Sequence, residues 1–163
     1  MRSFCRTALI LLFATAPVFA EPISRNEIFV KDGDTIVKAP PGFRFSPNKE
    51  YRLVGFDTPE TARGRCPSEI EKGNRATARL ISLLETGKLD LTEVPCSCCP
   101  GTHFTKECNA GRRCGRLTVD GKDVGEILIA EGHAVPFICS ATSCPQQQSW
   151  CQFPKTKPKE RQC

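Results

Sequence analysis

The amino-acid sequence predicts a mixed α+β fold, mainly β, in which a small five-stranded barrel is closed by two or three helices. Five short β-branched or apolar runs and two amphipathic helical stretches support this prediction. The length of 163 residues suits about one domain. Charged residues make up 25% and hydrophobic residues 39%, values that exclude disordered, collagen-like and coiled-coil classes.

Turn and loop signals separate the five predicted strands. The first two flank the turn at residues 31–34 (KDGD), and Asp-Gly between such runs is typical of a hairpin. A proline-rich loop at 39–47 precedes the third strand, and the turn Asp120-Gly121 closes the fifth. The predicted strands span residues 27–30, 35–38, 51–56, 89–94 and 113–119.

Two helices are predicted from periodicity and end signals. The first follows the third strand, begins with a capping box of Ser68 and Glu71, and stops at Gly87. The second spans about residues 123–131 and stops at Gly132. The side chains expected to face the core are Ile70, Ala76, Leu80, Ile81 and Leu84 in the first helix, and Val124, Ile127 and Leu128 in the second.

Residues 1–20 are typical of a secretory signal peptide. Arg2 and Arg6 precede an apolar run at 8–16 that is too short to span a bilayer, and Val18 and Ala20 are small residues at a cleavage site. We expect cleavage after Ala20, a secreted or periplasmic protein, and no membrane association once the signal is removed. The alternative interpretation is a buried N-terminal helix.

The chain contains eleven cysteines, and cleavage would remove Cys5 and leave ten. It would also remove two arginines, which lowers the net charge from +5 to +3. Export and an even number favour disulfides, up to five, with a connectivity that the sequence does not reveal. Residues 95–110 form a cysteine-rich insert and residues 140–163 a cysteine-containing basic tail. The alternative is structural zinc bound by Cys96, Cys98, Cys99, His103, Cys108 and Cys114, although C-x-C-C is not a standard zinc spacing.

Two acidic clusters, at residues 32–35 (DGDT) and 57–61 (DTPET), follow predicted strands. Either cluster alone is typical of an ordinary turn or strand exit, but together they offer the oxygen ligands that Ca²⁺ prefers. Arg52 begins the strand that delivers Asp57. Because residues five apart face opposite sides of a regular strand, we expect a bulge or a barrel bend near Gly55 to bring them to one site.

A carboxylate cluster with a divalent cation and two arginines suits phosphodiester cleavage, because both kinds of positive charge neutralise the phosphate. The sequence resembles the staphylococcal nuclease-like (thermonuclease) family in three ordered segments. They are V-K-D-G-D-T-I (30–36), Y-R-L-V-G-F-D-T-P-E-T (51–61), and G-R followed downstream by V-D-G-K-D-V-G-E-I-L-I-A-E-G-H-A (111–134). The resemblance covers roughly residues 28–94 and 109–137. It implies an OB-fold domain over residues 21–139 and Ca²⁺ as cofactor. It also implies a nuclease whose substrate is a nucleic acid, DNA or RNA. We expect this nuclease to be a monomer.

The resemblance also implies roles for the acidic residues. Asp34 and Asp57 match the carboxylate ligands of Ca²⁺, and Thr58 matches the residue that gives its backbone carbonyl. Asp32 matches a nearby acid behind these ligands. Glu60 matches the proposed general base, which acts on a metal-associated water.

Arg52 and Arg112 match the two arginines that grip the phosphate and stabilise the transition state. Arg113 and Arg116 are nearby alternatives to Arg112. Counting back without gaps from Asp120-Gly121 reaches Gly111-Arg112, which favours Arg112. Arg113 and Arg116 are then expected to be solvated strand residues.

The sequence departs from the family just before this arginine, where a Lys-Tyr pair is replaced by Asn109-Ala110. A nucleotide-contacting tyrosine is therefore missing, and Phe104 or Phe137 either substitutes for it or simply packs. The basic stretch at 155–161 either adds non-specific phosphate attraction or improves solubility. Two alternatives to a nuclease stay open: a non-catalytic OB-fold module that binds nucleic acid or protein, and a disulfide-rich structural protein.

Overall fold

A curled sheet and two helices form the fold in the computed structural model, which describes residues 20–39 and 50–151. The predicted signal peptide up to residue 19, the loop at 40–49 and the tail after residue 151 lie outside the described residues. The helices are α1 (Pro67–Leu84) and α2 (Val124–Ala130). The strands are β1 (Glu21–Ile23), β2 (Ile28–Asp32), β3 (Thr35–Lys38), β4 (Glu50–Leu53), β5 (Gly55–Asp57), β6 (Leu89–Val94), β7 (Arg113–Val119), β8 (Lys122–Asp123) and β9 (Val135–Phe137).

The main sheet has the order β1-β6-β7-β4-β3-β2, with β8 beside β7, while β5 and β9 pair separately. All neighbours are antiparallel except β4 and β7, which are parallel. In this register Arg52 lies opposite Thr35 on one side and opposite Cys114 on the other. The hairpin that carries the first acidic cluster and the start of β7 therefore meet at β4. The mixed α+β prediction is confirmed.

The five predicted strands are all present, with one correction. The strand predicted at 51–56 is interrupted at Val54 and continues as β5 from Gly55, whose φ is +97°. A left-handed φ is freely available only to glycine, so this residue allows the chain to turn there. The sequence does not predict strands β1, β8 and β9, because segments of two or three residues are too short to show an alternation of apolar and polar residues.

Helix α1 begins differently from the sequence prediction. Its N-cap is Cys66 and Pro67 is the first helical residue, a favoured position for proline because that N–H has no intrahelical partner. The predicted capping box of Ser68 and Glu71 is therefore wrong. Instead, the carboxylate of Glu69 accepts a hydrogen bond from the backbone N–H of Arg65 at 2.7 Å.

The buried face of α1 is also partly different. Ala76, Leu80 and Leu84 are buried as predicted, but Ile70 and Ile81 are each 37% exposed. Gly73 explains why the buried face of the helix is rotated relative to the predicted one. The helix approaches the neighbouring backbone so closely here that a Cβ added to Gly73 would lie 2.5 Å from the carbonyl oxygen of Glu60. The other buried positions of the helix are Glu69, Gly73 and Leu83.

Helix α2 agrees with its prediction. Asp123 caps it by accepting hydrogen bonds from the backbone N–H groups of Gly125 (2.8 Å) and Glu126 (3.4 Å). Val124 and Leu128 are fully buried, and Ile127 packs against the core. In the described part of the chain, no helix is long and apolar enough to cross a membrane.

Disulfides hold both the insert and the tail. The bonds are Cys66–Cys151, Cys96–Cys114, Cys98–Cys108 and Cys139–Cys144, and Cys99 is disulfide-bonded as well. The predicted disulfides are thus confirmed. The zinc alternative is wrong for the insert, because its cysteines are in disulfides and offer no thiolate to a metal.

Removal of the Cys66–Cys151 disulfide by a double serine substitution should lower the free energy of unfolding by about 4.5 kcal/mol. The reason is that this bond closes a loop of 85 residues and so restricts the unfolded chain strongly. The matched control removes Cys139–Cys144, which spans five residues and should contribute about 2 kcal/mol. Urea denaturation of both variants checks this order, and equal losses would contradict it.

Candidate functional site

Two buried carboxylates meet on one guanidinium group. Asp34 and Asp57 are each 3% exposed, and the side chain of Arg52 is 15% exposed. Arg52 Nη1 forms an ion pair with Asp34 Oδ1, and Nη2 lies 2.6 Å from Asp57 Oδ1. Charged groups are buried in proteins when they are paired, so these three side chains form one electrostatic unit.

The break between β4 and β5 makes this meeting possible. Arg52 and Asp57 are five residues apart and would face opposite sides of an uninterrupted strand. The left-handed turn at Gly55 changes the direction of the chain, and Arg52 Nη2 also lies 3.4 Å from the carbonyl oxygen of Phe56. The sequence-based expectation that a backbone irregularity near Gly55 brings the two together is confirmed.

Asp34 is held by hydrogen bonds to both carboxylate oxygens. Oδ2 accepts from the backbone N–H of Thr58 (3.1 Å) and from its hydroxyl (3.0 Å), and Oδ1 accepts from the hydroxyl of Thr35 (3.1 Å). Gly33 lies close to Thr58, since a Cβ added to Gly33 would be 2.8 Å from Thr58 Oγ1. The hairpin is therefore packed tightly against the segment that begins at Asp57.

Asp32 has a different place. Its Oδ1 accepts a hydrogen bond from the backbone N–H of Asp34 at 3.2 Å, which closes the hairpin turn. Asp32 thus shapes the backbone behind the two converging carboxylates. Its negative charge also acts on Arg52, together with the opposing positive charge of Arg112.

Burial is the largest influence on Arg52. It lowers the pKa of Arg52 from its usual value, and the charge of Asp57 opposes this change. A guanidinium tolerates this environment because its charge is delocalised and weakly hydrated. The two carboxylates and Arg52 together carry one net negative charge.

Arg112 reaches the same cluster from the position directly before β7. Its Nη1 donates to the hydroxyl of Thr35 at 3.2 Å, while Nε and Nη2 donate to the carbonyl and side-chain oxygens of Asn109 at 3.0 and 2.9 Å. Arg113 turns instead to Glu93, at 2.7 Å, and Arg116 is exposed. The structure therefore brings Arg112, rather than its two neighbours, to the acidic cluster.

Glu60 stands apart from the other predicted site residues. Its side chain is exposed, and within residues 20–39 and 50–151 it makes no hydrogen bond or ion pair. Its backbone packs closely against α1, because the preceding Pro59 is buried and a Cβ added to Gly73 would lie 2.5 Å from the carbonyl oxygen of Glu60 and 2.7 Å from that of Pro59. Glu60 is thus an exposed carboxylate on a segment packed against α1, three residues beyond Asp57.

Two contacts of the cluster were not anticipated from the sequence. Asn109 orients Arg112, and Gln147 of the tail donates from Nε2 to Asp57 Oδ1 at 3.3 Å. The tail reaches this position because Cys151 is bonded to Cys66 at the start of α1. Nothing in the local sequence around Gln147 signals such a contact, since it depends on a disulfide that joins distant segments.

The donor set of this cluster fits a calcium ion. Asp34 and Asp57 offer carboxylate oxygens and Thr58 offers neutral ones, which are the ligands of hard cations. The two Oδ1 atoms already converge on one positive group, the guanidinium of Arg52. In the described part of the chain, one group brings three acidic, cysteine or histidine ligand atoms within 4.8 Å of one another, namely Cys66, Glu69 and Cys151, and it does not include Asp34 or Asp57. That group is not a metal site, because both of its cysteines form a disulfide.

No protein-family model matches the chain, and a search of curated proteins finds no match. The function is therefore inferred from the cluster itself and from the three sequence segments described above.

Proposed function

We propose that this protein is a calcium-dependent nuclease that hydrolyses phosphodiester bonds of DNA or RNA. The observation that carries the proposal is the convergence of Asp34 and Asp57 on Arg52, with Arg112 one hydroxyl group away through Thr35. A cation site beside two guanidinium groups is complementary to a phosphate whose charge increases in the transition state.

The strand arrangement supports the OB-fold that the resemblance implies. The five longest strands in the curled sheet have the order β2-β3-β4-β7-β6, and the pair β4 and β7 is parallel. An OB-fold is a five-stranded, partly open Greek-key barrel that commonly binds nucleic acids. The proposed site lies where β3, β4 and β7 meet, at one end of these strands.

Asp34, Asp57 and Thr58 would hold the calcium ion. When bound, calcium supplies positive charge to the phosphate and makes an associated water more acidic. Arg112 is suited to grip the phosphate, because within the described segments its guanidinium contacts neutral oxygens and pairs with no carboxylate. Arg52 provides the second guanidinium, at the bottom of the cluster, where its planar fork matches phosphate oxygens.

Glu60 is the group that we assign to proton transfer. A general base must be ionised and accessible to the attacking water, and Glu60 is exposed on a backbone segment packed against α1. The buried acids are less suited to this task. Asp34 and Asp57 are paired with Arg52, and Asp32 accepts a hydrogen bond from the hairpin backbone.

The disulfides support a location in an oxidising compartment, such as the periplasm or the exterior. Such a location agrees with the proposed removal of a signal peptide after Ala20. The proposal includes a monomeric protein, as expected from the sequence.

The test is a cleavage assay of the oxidised protein, without residues 1–20, on single- and double-stranded DNA and on RNA. We expect cleavage with Ca²⁺, loss of cleavage in EDTA, and recovery when Ca²⁺ is restored. The matched control is Asp90→Asn, a half-buried acid of β6 outside the cluster, which should keep activity, whereas Asp34→Asn should lose it. Binding of nucleic acid without turnover would instead establish a non-catalytic module, and indifference to both nucleic acid and Ca²⁺ a structural protein.

A further inference from the structure

A cleft of about 350 Å³ lies beside Arg112, between the cysteine-rich insert and the neighbouring ends of β6 and β7. Its volume is within the range of pockets that bind small organic groups. Arg112 lines this cleft and also contacts Thr35 of the acidic cluster, so the two are adjacent. The other side chains that shape the cleft include Val94, Pro95, His103, Phe104 and Arg113.

Phe104 is the unusual residue of this cleft. Its ring is 71% exposed, and its backbone has a φ of +64°, a left-handed conformation that costs free energy for a bulky residue. The hydrophobic core does not include it. An exposed aromatic ring on a strained backbone therefore has no role in packing the core.

The insert holds Phe104 in place from both sides. The Cys98–Cys108 disulfide closes the short loop that contains it, and Cys96–Cys114 attaches the loop to β7. The backbone N–H of Thr105 donates to the carbonyl of Thr102 at 3.0 Å across the aromatic residue. Because the disulfides and this hydrogen bond already hold the loop, little conformational entropy is lost when a ligand binds to the ring, which favours binding.

A positive group lies next to the ring. Arg113 Cζ is 5.9 Å from the centroid of Phe104, and Arg113 is itself held by Glu93 at 2.7 Å. An aromatic face beside guanidinium groups is the combination that binds single-stranded nucleic acids, because bases stack on the ring while phosphates are attracted to the charges.

We propose that this cleft binds a nucleobase of a single-stranded nucleic acid, stacked on Phe104, next to the nucleotide whose phosphate lies at Arg112. The proposal deepens the nuclease function proposed above and rests on it for the position of that phosphate. A single strand is required, because a base can stack on a protein side chain only after it has left its own helix. The site belongs to the insert and would supply the stacking surface that Ala110 lacks.

The test measures binding in EDTA, where no cleavage is expected, so that it does not depend on activity. The ligand is a single-stranded pentanucleotide with fluorescent 2-aminopurine placed at each position in turn. We expect one position to be quenched on binding, and Phe104→Ala to abolish that quenching and weaken binding about 5- to 150-fold. Phe104→Trp should restore both, and Phe29→Ala, at an exposed ring that does not line the cleft, should change neither.

The outcomes separate this proposal from the function on which it rests. Wild-type affinity in Phe104→Ala, or no binding of the pentanucleotide, would overturn the stacking site. Cleavage with unchanged affinity in Phe104→Ala would agree with the proposed nuclease function and contradict a base-binding role of the cleft. Loss of quenching in Phe104→Ala without any cleavage by the wild type would retain the cleft as a binding site and reject the nuclease. Because Phe104 is exposed, its replacement should not unfold the protein, and thermal unfolding monitors this.

Discussion

Replacement of Arg52 with methionine should lower the free energy of unfolding in EDTA by about 3–5 kcal/mol, because breaking a buried ion pair leaves uncompensated charge. Asp34 and Asp57, which are both buried, would lose the guanidinium that contacts them. Methionine keeps much of the apolar volume of the arginine stem, so the loss reports mainly on charge. Urea denaturation in EDTA measures it.

Calcium should reverse part of this loss. If Asp34 and Asp57 bind the ion, then removal of Arg52 leaves both carboxylates available to it, and calcium should stabilise the variant more than the wild type. At a calcium concentration one hundred times the Kd of the site, binding adds about 2.7 kcal/mol to the free energy of unfolding. Denaturation with and without calcium gives the two increments. Absence of stabilisation by calcium in both proteins would contradict the assignment of these ligands.

Arg79 offers a matched control. It also forms a two-point contact with a carboxylate, since Nε and Nη2 each lie 2.7 Å from Glu131, but both side chains are about one-third exposed. Exposed pairs contribute little to stability because water already solvates both charges. Arg79→Met should therefore have a much smaller effect than Arg52→Met, and one that calcium does not change.

The parts of the fold that the sequence predicts are those controlled by local patterns. The predicted bounds of β6 and β7 are the observed ones, and β6 alternates between apolar and polar residues from Leu89 to Thr92, as β7 does between buried and more exposed residues from Gly115 to Val119. The buried face of α1 shows the limit, because it is decided by the close approach of Gly73 to the backbone of Pro59 and Glu60. That contact joins separate segments, and helical periodicity carries no information about it.

The same distinction applies to the candidate site. Asp34, Asp57 and Arg52 are predictable as a group because a hairpin and the adjacent strand place them close together. The contacts of Asn109 and Gln147 are not, because each depends on how the disulfide-bonded insert or tail folds back on the curled sheet. The role of Glu60 remains a proposal, since its exposed side chain has no partner among the described residues.

The proposed role of Glu60 predicts a large effect on the rate of cleavage rather than on stability. Glu60→Gln should lower kcat by about 10²- to 10⁴-fold, the usual contribution of a general base, because an amide cannot accept the proton of the attacking water. Its effect on the free energy of unfolding should stay within about 0.5 kcal/mol, as for other surface substitutions. Single-turnover cleavage with saturating calcium measures the chemical step.

A second glutamate separates lost proton transfer from a general loss of negative charge. Glu71→Gln removes an exposed carboxylate of α1 that pairs with Arg75, and it should leave the rate unchanged. Glu60→Asp keeps the charge but shortens the side chain by one methylene, so its rate should lie between those of the wild type and Glu60→Gln. Unchanged cleavage in Glu60→Gln would mean that the water loses its proton to another acceptor. Asp34 and Asp57 are buried against Arg52, so bulk water would then be the remaining candidate, and the rate of that variant would rise with hydroxide concentration.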